Sequence, residues 1–267
     1  MDLFNENIIH IKKDGIEYLQ FRKLLEYEDI LQHCFTLRPL DFGSNSTYES
    51  QKELVIENYK KICDSLNLDY RNVVRPYQTH SDNIKAVDND TSEEPSIFSK
   101  EYKEIDGLMT DKKNKILSLS YADCTPLYFF DPNKRVIANI HSGWVGTTKK
   151  IGEKAVERLV EVYGCETKDL ICCIGPTIRE CHFEVDEDVK EVFTKNFNDL
   201  EGLIRVTKAK YHINTVKINK RILLEAGLQE NNIIDSGICT VCNYDLIYSY
   251  RGNNRAECRN TAIISLI

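Results

Sequence analysis

Short apolar runs alternate with longer amphipathic stretches along this chain. Several of these runs are hydrophobic almost throughout, which is typical of strands that are buried on both faces. The predicted strands occupy residues 33–37, 72–77, 82–87, 115–122, 126–130, 135–141, 245–250 and 261–267.

The amphipathic stretches predict four main helices, because apolar residues recur in them at intervals of three or four. The predicted helices span residues 50–66, 147–163, 186–197 and 214–226. Gly164 and Gly227 follow two of them, and glycine commonly ends helices. About ten strands interspersed with four helices favour a mixed α/β class, and we expect a single domain over residues 1–267.

Composition narrows the choice of ligand and compartment. The 267 residues include 42 acidic and 35 basic side chains, for a net charge of −7. This balance argues against binding to nucleic acid or to an anionic membrane, and it favours a small-molecule ligand. We expect a cytoplasmic protein, because neither a signal sequence nor a membrane-spanning apolar run is visible. The sequence leaves open whether it is a monomer or a homodimer. The ten cysteines are then expected to be reduced thiols.

Three potential metal ligands follow predicted strands. Cys124 and His141 come at the ends of two neighbouring strands, and His80 follows a third. One thiolate and two imidazoles suit zinc, with a fourth position left for water or substrate. Spacing alone leaves ordinary alternatives open, namely hydrogen-bonded histidines and a buried inert thiol.

The other cysteines are less informative. Cys239 and Cys242 form a CxxC pair that suits half of a zinc site or a redox pair, but no second CxxC completes a closed site, which favours a structural role. Cys181 and His182 adjoin a turn that could border a cleft, although packing is the simpler explanation.

A series of separated motifs resembles the YfiH-type family, which is described both as a multicopper polyphenol oxidase (laccase) domain and as purine nucleoside phosphorylase. The main matches are DGLMT (106–110), ADCTP (122–126) and HSGWVG (141–146). Supporting matches are CFTLR (34–38), QTHS (78–81), IGPTIRECHFEV (174–185) and CTVC with YSYR (239–251).

This resemblance implies a zinc site formed by His80, Cys124 and His141, with Arg38 beside the substrate pocket. It implies phosphorolysis of adenosine, inosine, guanosine and S-methyl-5′-thioadenosine, together with deamination of adenosine. The implied fold is a mixed β-sheet sandwich flanked by helices and related to the cytotoxic necrotizing factor deamidases. Arg251 is a further candidate for a phosphate or purine contact through its forked guanidinium.

Three departures from the family pattern affect the expected pocket. Val145 stands where most members carry arginine, and residues 39–44 replace the usual loop after Arg38. RGNNRAECR (251–259) replaces the family's arginine-rich C-terminal motif, which leaves the second basic position open. These changes leave the expected metal ligands intact, but they keep open a binding protein that has lost catalysis.

Two further alternatives belong to other enzyme classes. A multicopper laccase needs on the order of ten histidine ligands, whereas this chain has six histidines, so copper would be adventitious at the Cys124 site. A metal-free amidase or deamidase would use Cys124 as nucleophile with His141 or His80 as base. That alternative leaves the second histidine without a role.

Overall fold

A computed structural model describes residues 3–43, 49–87, 96–97, 102–207 and 210–267 of the chain. The strands are β1 (Ile8–Lys13), β2 (Ile16–Phe21), β3 (Leu31–Thr36), β4 (Val73–Val74), β5 (Ile84–Ala86), β6 (Gly107–Thr110), β7 (Ile116–Tyr121), β8 (Thr125–Asp131), β9 (Val136–Ser142), β10 (Ile171–Ile174), β11 (Glu184–Val185), β12 (Ile204–Thr207), β13 (Lys210–Ile213), β14 (Ile233–Asp235) and β15 (Asn260–Leu266). The helices are α1 (Arg22–Leu25), α2 (Glu49–Ser65), α3 (Trp144–Thr148), α4 (Ile151–Tyr163), α5 (Glu187–Asn196) and α6 (Thr215–Glu225).

Two six-stranded sheets form the centre of the fold. The first has the order β1-β2-β3-β15-β7-β4 and the second the order β14-β10-β8-β9-β6-β5, while β11, β13 and β12 form a small third sheet. Most neighbours are antiparallel, but β4 runs parallel to β7, and β5 and β14 run parallel to β6 and β10. Both large sheets are therefore mixed.

The two large sheets pack face to face. Leu117 and Ile264 of the first sheet share one buried cluster with Tyr128 and Ile137 of the second. Helix α2 covers the outer face of the first sheet, and α4 and α6 cover that of the second. The central strands are thus buried on both faces, which explains their nearly continuous apolar runs. The expected mixed sandwich flanked by helices is confirmed.

The predicted strand at 245–250 is wrong. This segment forms turns, because its backbone N–H groups do not pair with a neighbouring strand. Those of Leu246 and Ile247 donate to the carbonyl of Asn243, and that of Tyr248 donates to Asn260 Oδ1. The segment packs against the central strands without joining either sheet.

Three other differences concern elements rather than the architecture. The helix predicted over 147–163 is two helices, because Lys150 between α3 and α4 has a left-handed φ of 56°. The hairpin of β1 and β2 and the small third sheet were not predicted. Among the described residues, no helix combines the length and the apolar character needed to cross a bilayer.

Candidate metal centre and active-site cleft

Strand register brings the three expected ligands together. In the antiparallel pairing of β8 with β9, Pro126 lies opposite His141, so Cys124 just before β8 falls beside the end of β9. His80 enters from the loop after β4. The donor atoms of the three residues all lie within 4.8 Å of one another, and Cys124 Sγ is 3.7 Å from His80 Nε2.

A buried carboxylate orients the two histidines. Asp106 precedes β6, whose first residue lies opposite Ile140, so its side chain reaches His141. Its Oδ1 is 2.8 Å from His141 Nδ1, and the carboxylate accepts hydrogen bonds from the backbone N–H groups of residues 79–81. Nδ1 of His141 is thereby occupied, which leaves Nε2 to face the cluster. Carboxylate partners of this kind commonly fix metal-binding histidines.

The electrostatics of the cluster favour a thiolate. Burial raises the pKa of Cys124, but His141 and His80 outweigh it and lower that pKa to about 6. Burial lowers the pKa of His141, but Cys124 and Asp106 outweigh it and raise that pKa to about 9. The thiolate is the form of cysteine that both binds metals and acts as a nucleophile.

Two residues of the site have left-handed backbones that are uncommon outside glycine. His80 has φ of 59° and Asp123 has φ of 85°. The Asp123 carboxylate accepts hydrogen bonds from the Thr240 and Ser249 hydroxyls and from the Arg251 N–H, each at 2.6 Å. These three hydrogen bonds stabilise the turn that places Cys124 in the cluster. Uncommon backbone conformations stabilised in this way occur most often at functional sites.

Gly143 allows the side chains of His80 and Cys124 to lie close to the backbone at residue 143. A Cβ at this position would lie 2.8 Å from His80 Cδ2 and 3.3 Å from Cys124 Sγ. The glycine also precedes α3, with φ of −68° that any residue can adopt. Its lack of a side chain is therefore required by space rather than by backbone conformation.

The cluster lines a cleft of about 840 Å³. This volume is in the range of small-molecule sites. Aromatic side chains of Trp144 and Phe183 contribute to its wall, and carboxylates such as Glu184 and Asp186 line another part. Four arginines also line the cleft, namely Arg75, Arg251, Arg255 and Arg259.

Arg75 is an unusual member of this lining. It is buried, and its Nη2 donates to the carbonyl of Phe42 and to the Ser120 hydroxyl. Its Nη1 is buried without a hydrogen-bond partner among the described residues. Since an unpaired buried donor is costly, this nitrogen suits an anionic ligand.

The two arginines singled out from the sequence lie in different places. Arg251 lines the cleft, and its Nη1 donates to the carbonyls of His182 and Glu184. Arg38 is absent from the lining, and its guanidinium carbon lies 4.4 Å from the centre of the Tyr248 ring. The structure thus brings Arg251, but not Arg38, into the cleft wall, and the substrate role of Arg38 stays a prediction.

Sequence reasoning missed three residues of this site. Asp106 opens the DGLMT motif, yet a single carboxylate before a strand carries no distinctive signal. Arg75 was detectable in principle, because a charged residue interrupts the apolar run VVRPY. Gly143 depends on the three-dimensional approach of His80, which no local pattern reports.

Comparisons with known proteins agree on a family. The sequence model of the family described as multi-copper polyphenol oxidoreductase laccase matches residues 38–267. The purine nucleoside phosphorylase YlmD of Bacillus subtilis is 32% identical over 79% of this chain and 77% of its own length. A protein named adenosine deaminase RL5, from an unknown prokaryotic organism, is 28% identical over 74% of this chain and 76% of its own length.

A solved structure shares the whole architecture. The crystal structure of the Bacillus licheniformis hypothetical protein YfiH superposes with a TM-score of 0.87 at 27% sequence identity, covering 98% of this chain and 100% of the other.

Proposed function

The chain belongs to the family described as multi-copper polyphenol oxidoreductase laccase, and on that premise we propose that it is a zinc-dependent purine nucleoside phosphorylase that also deaminates adenosine. Its substrates are adenosine, inosine, guanosine and S-methyl-5′-thioadenosine, with phosphate as the second substrate. The observation that most supports this proposal is a cluster of two histidines and one cysteine in a cleft lined by four arginines. The names of the two relatives support both reactions.

The donor set fits zinc. One thiolate and two imidazoles give three protein ligands, and the cleft gives access to a fourth position, which is the pattern of catalytic zinc. A laccase would need on the order of ten histidine ligands, and the chain has six histidines in all. When bound by His80, Cys124 and His141, zinc would polarise the purine or lower the pKa of a bound water.

The protein's own groups supply the remaining requirements of phosphorolysis. The guanidinium groups of Arg75 and Arg251 bind and orient the phosphate that attacks the sugar. Trp144 offers an aromatic face to the purine, and the Glu184 carboxylate accepts hydrogen bonds from sugar hydroxyls. Asp106 keeps the proton on Nδ1 of His141, so that Nε2 stays available to the cleft.

Two measurements test the proposed function. Protein purified without chelator should contain zinc, and it should convert inosine to hypoxanthine only when phosphate is present. Stoichiometric zinc at the cleft without any turnover of inosine or adenosine would instead favour a binding protein that has lost catalysis.

Arginine variants test the phosphate site. Arg251→Ala should lower kcat/KM for phosphate by about 10- to 150-fold, because one charge-assisted contact is worth about 1.5–3 kcal/mol. Zinc content should not change. Arg38→Ala is the comparison: a similar loss would support the role that the resemblance implies for Arg38, and unchanged kinetics would show that this role does not carry over.

One observation favours a second candidate function. Asp106, His141 and Cys124 form a line of carboxylate, imidazole and thiolate that resembles the catalytic arrangement of cysteine amidases. Iodoacetamide distinguishes the two, since a catalytic thiolate reacts at once whereas a zinc-bound thiolate reacts only after a chelator removes the metal. Rapid alkylation of Cys124 in untreated protein would favour the amidase.

A further inference from the structure

A second cluster of potential metal ligands lies outside the cleft. Cys181 and His182 lie in the turn before β11, and Cys239 and Cys242 lie in the loop after β14. The donor atoms of all four residues are within 4.8 Å of one another. We propose that these residues form a second zinc site, with four protein ligands.

The distances match a tetrahedral site. Cys181 Sγ lies 3.6 Å from Cys239 Sγ and 3.8 Å from Cys242 Sγ. His182 Nδ1 lies 3.2, 3.7 and 3.5 Å from the sulfurs of Cys181, Cys239 and Cys242. Zn–S bonds of about 2.3 Å and Zn–N bonds of about 2.0–2.1 Å in a tetrahedron separate the donor atoms by about 3.5–3.8 Å. Four of these five distances fall within that range, and the fifth, between the adjacent residues Cys181 and His182, is about 0.3 Å shorter.

The chemistry of the set also points to a metal. Thiols are weak hydrogen-bonding groups, so three thiols and one imidazole gain little from each other alone. A bound cation would stabilise the three cysteines as thiolates and the histidine as a neutral ring at the same time.

The ligand count separates this site from the first. Four protein ligands leave no position for substrate, which is the pattern of structural zinc. The spacing hid the site in the sequence, because Cys181 and Cys239 are 58 residues apart and the second half is an adjacent Cys-His pair rather than another CxxC.

The site would join two segments of the cleft wall. Thr240, between the paired cysteines, donates to the Asp123 carboxylate next to Cys124. On the other side, the His182 carbonyl accepts from Arg251. Zinc bound here would therefore hold the loop that supports Cys124 and the backbone that supports Arg251. This proposal does not depend on the reaction assigned to the cleft.

Metal counting on the full-length protein tests the proposal. Wild-type protein purified without chelator should contain two zinc ions per chain, and Cys242→Ser and Cys181→Ser should each contain one. Cys258→Ser is the matched control, since it removes a half-buried thiol outside both clusters and should keep two. Cys124→Ser should also contain one, through loss of the other ion. Wild-type zinc content in both Cys181→Ser and Cys242→Ser would overturn the proposal.

Measuring the reactivity of the thiols in the wild-type protein tests the second zinc site even if a variant fails to fold. Cys181 and Cys242 are exposed, so as free thiols they should react quickly with iodoacetamide. We expect them to be protected until a chelator is added, with loss of hydrogen-exchange protection at residues 179–185 and 239–243 at the same time. Immediate alkylation of both, or a disulfide between any two of Cys181, Cys239 and Cys242, would overturn the second site.

Discussion

Replacing Gly143 with alanine tests how closely the cleft cluster is packed. The new Cβ would lie 2.8 Å from His80 Cδ2, about 0.6 Å closer than the 3.4 Å at which ordinary contact begins. It would also lie 3.3 Å from Cys124 Sγ. His80 has a left-handed backbone, and its N–H is bonded to Asp106, so its ring has little freedom to move without leaving the cluster.

The expected effect is on the metal rather than on the fold. Displacing one ligand by about half an ångström should weaken zinc binding by about 10- to 100-fold, as substitutions around metal ligands commonly do. The backbone of residue 143 already suits alanine. The far-UV circular dichroism spectrum should therefore stay unchanged.

Competition with a chromogenic zinc chelator measures the affinity directly. Gly146→Ala is the matched control, because its Cβ would meet its neighbours at 3.4–3.6 Å, which is ordinary contact. Wild-type zinc affinity in Gly143→Ala would refute the reasoning that this glycine is required by the approach of His80 and Cys124.

Three other substitutions or treatments follow from the same geometry. Asp106→Asn should weaken zinc binding at the cleft by about 10- to 100-fold, measured by the same competition, because the amide cannot accept from His141 and from the 79–81 backbone at once. Asp123→Asn turns one accepting oxygen into a donor and should destabilise the protein by about 1–3 kcal/mol; a thermal melt should show a lower Tm, and an unchanged Tm would contradict the role given to its three hydrogen bonds. Chelation should abolish activity while the far-UV spectrum is retained, because the core between the sheets forms without metal; global unfolding would show that the metal is needed for the fold.

The sequence predicted the parts of the molecule whose signal is local. Strands β8 and β9 were found because they are buried on both faces. Of the cleft ligands, Cys124 and His141 were found because they lie at the ends of such strands, and His80 because it follows the predicted strand at 72–77. The β1–β2 hairpin was missed because His10 and Ile11 are only partly buried and leave no continuous apolar run. The segment 245–250 looked like a strand because its apolar residues pack inward from a turn.

Long-range relations account for the rest. Asp106 meets His141 through the pairing of β6 with β9, and no spacing in the sequence encodes that contact. The family resemblance places Arg38 beside the substrate pocket; its guanidinium carbon lies 4.4 Å from the centre of the Tyr248 ring, and its substrate role stays a prediction. The second cluster was dismissed because its halves lie on separate loops that only the folded sheets bring together.

Because metal binding at the proposed cleft site depends on the register of β8 on β9, it would indicate whether these strands are correctly aligned. Successive side chains of a strand point to opposite faces, so a slip of one residue would turn His141 away from Cys124 while leaving the hydrogen-bonded ladder intact. A chain with that error would keep its strands, and its circular dichroism would hardly change, yet it could not assemble the three ligands. Zinc bound at the proposed cleft site would therefore measure the fraction of molecules with native strand alignment, a quantity that spectroscopy of secondary structure does not detect.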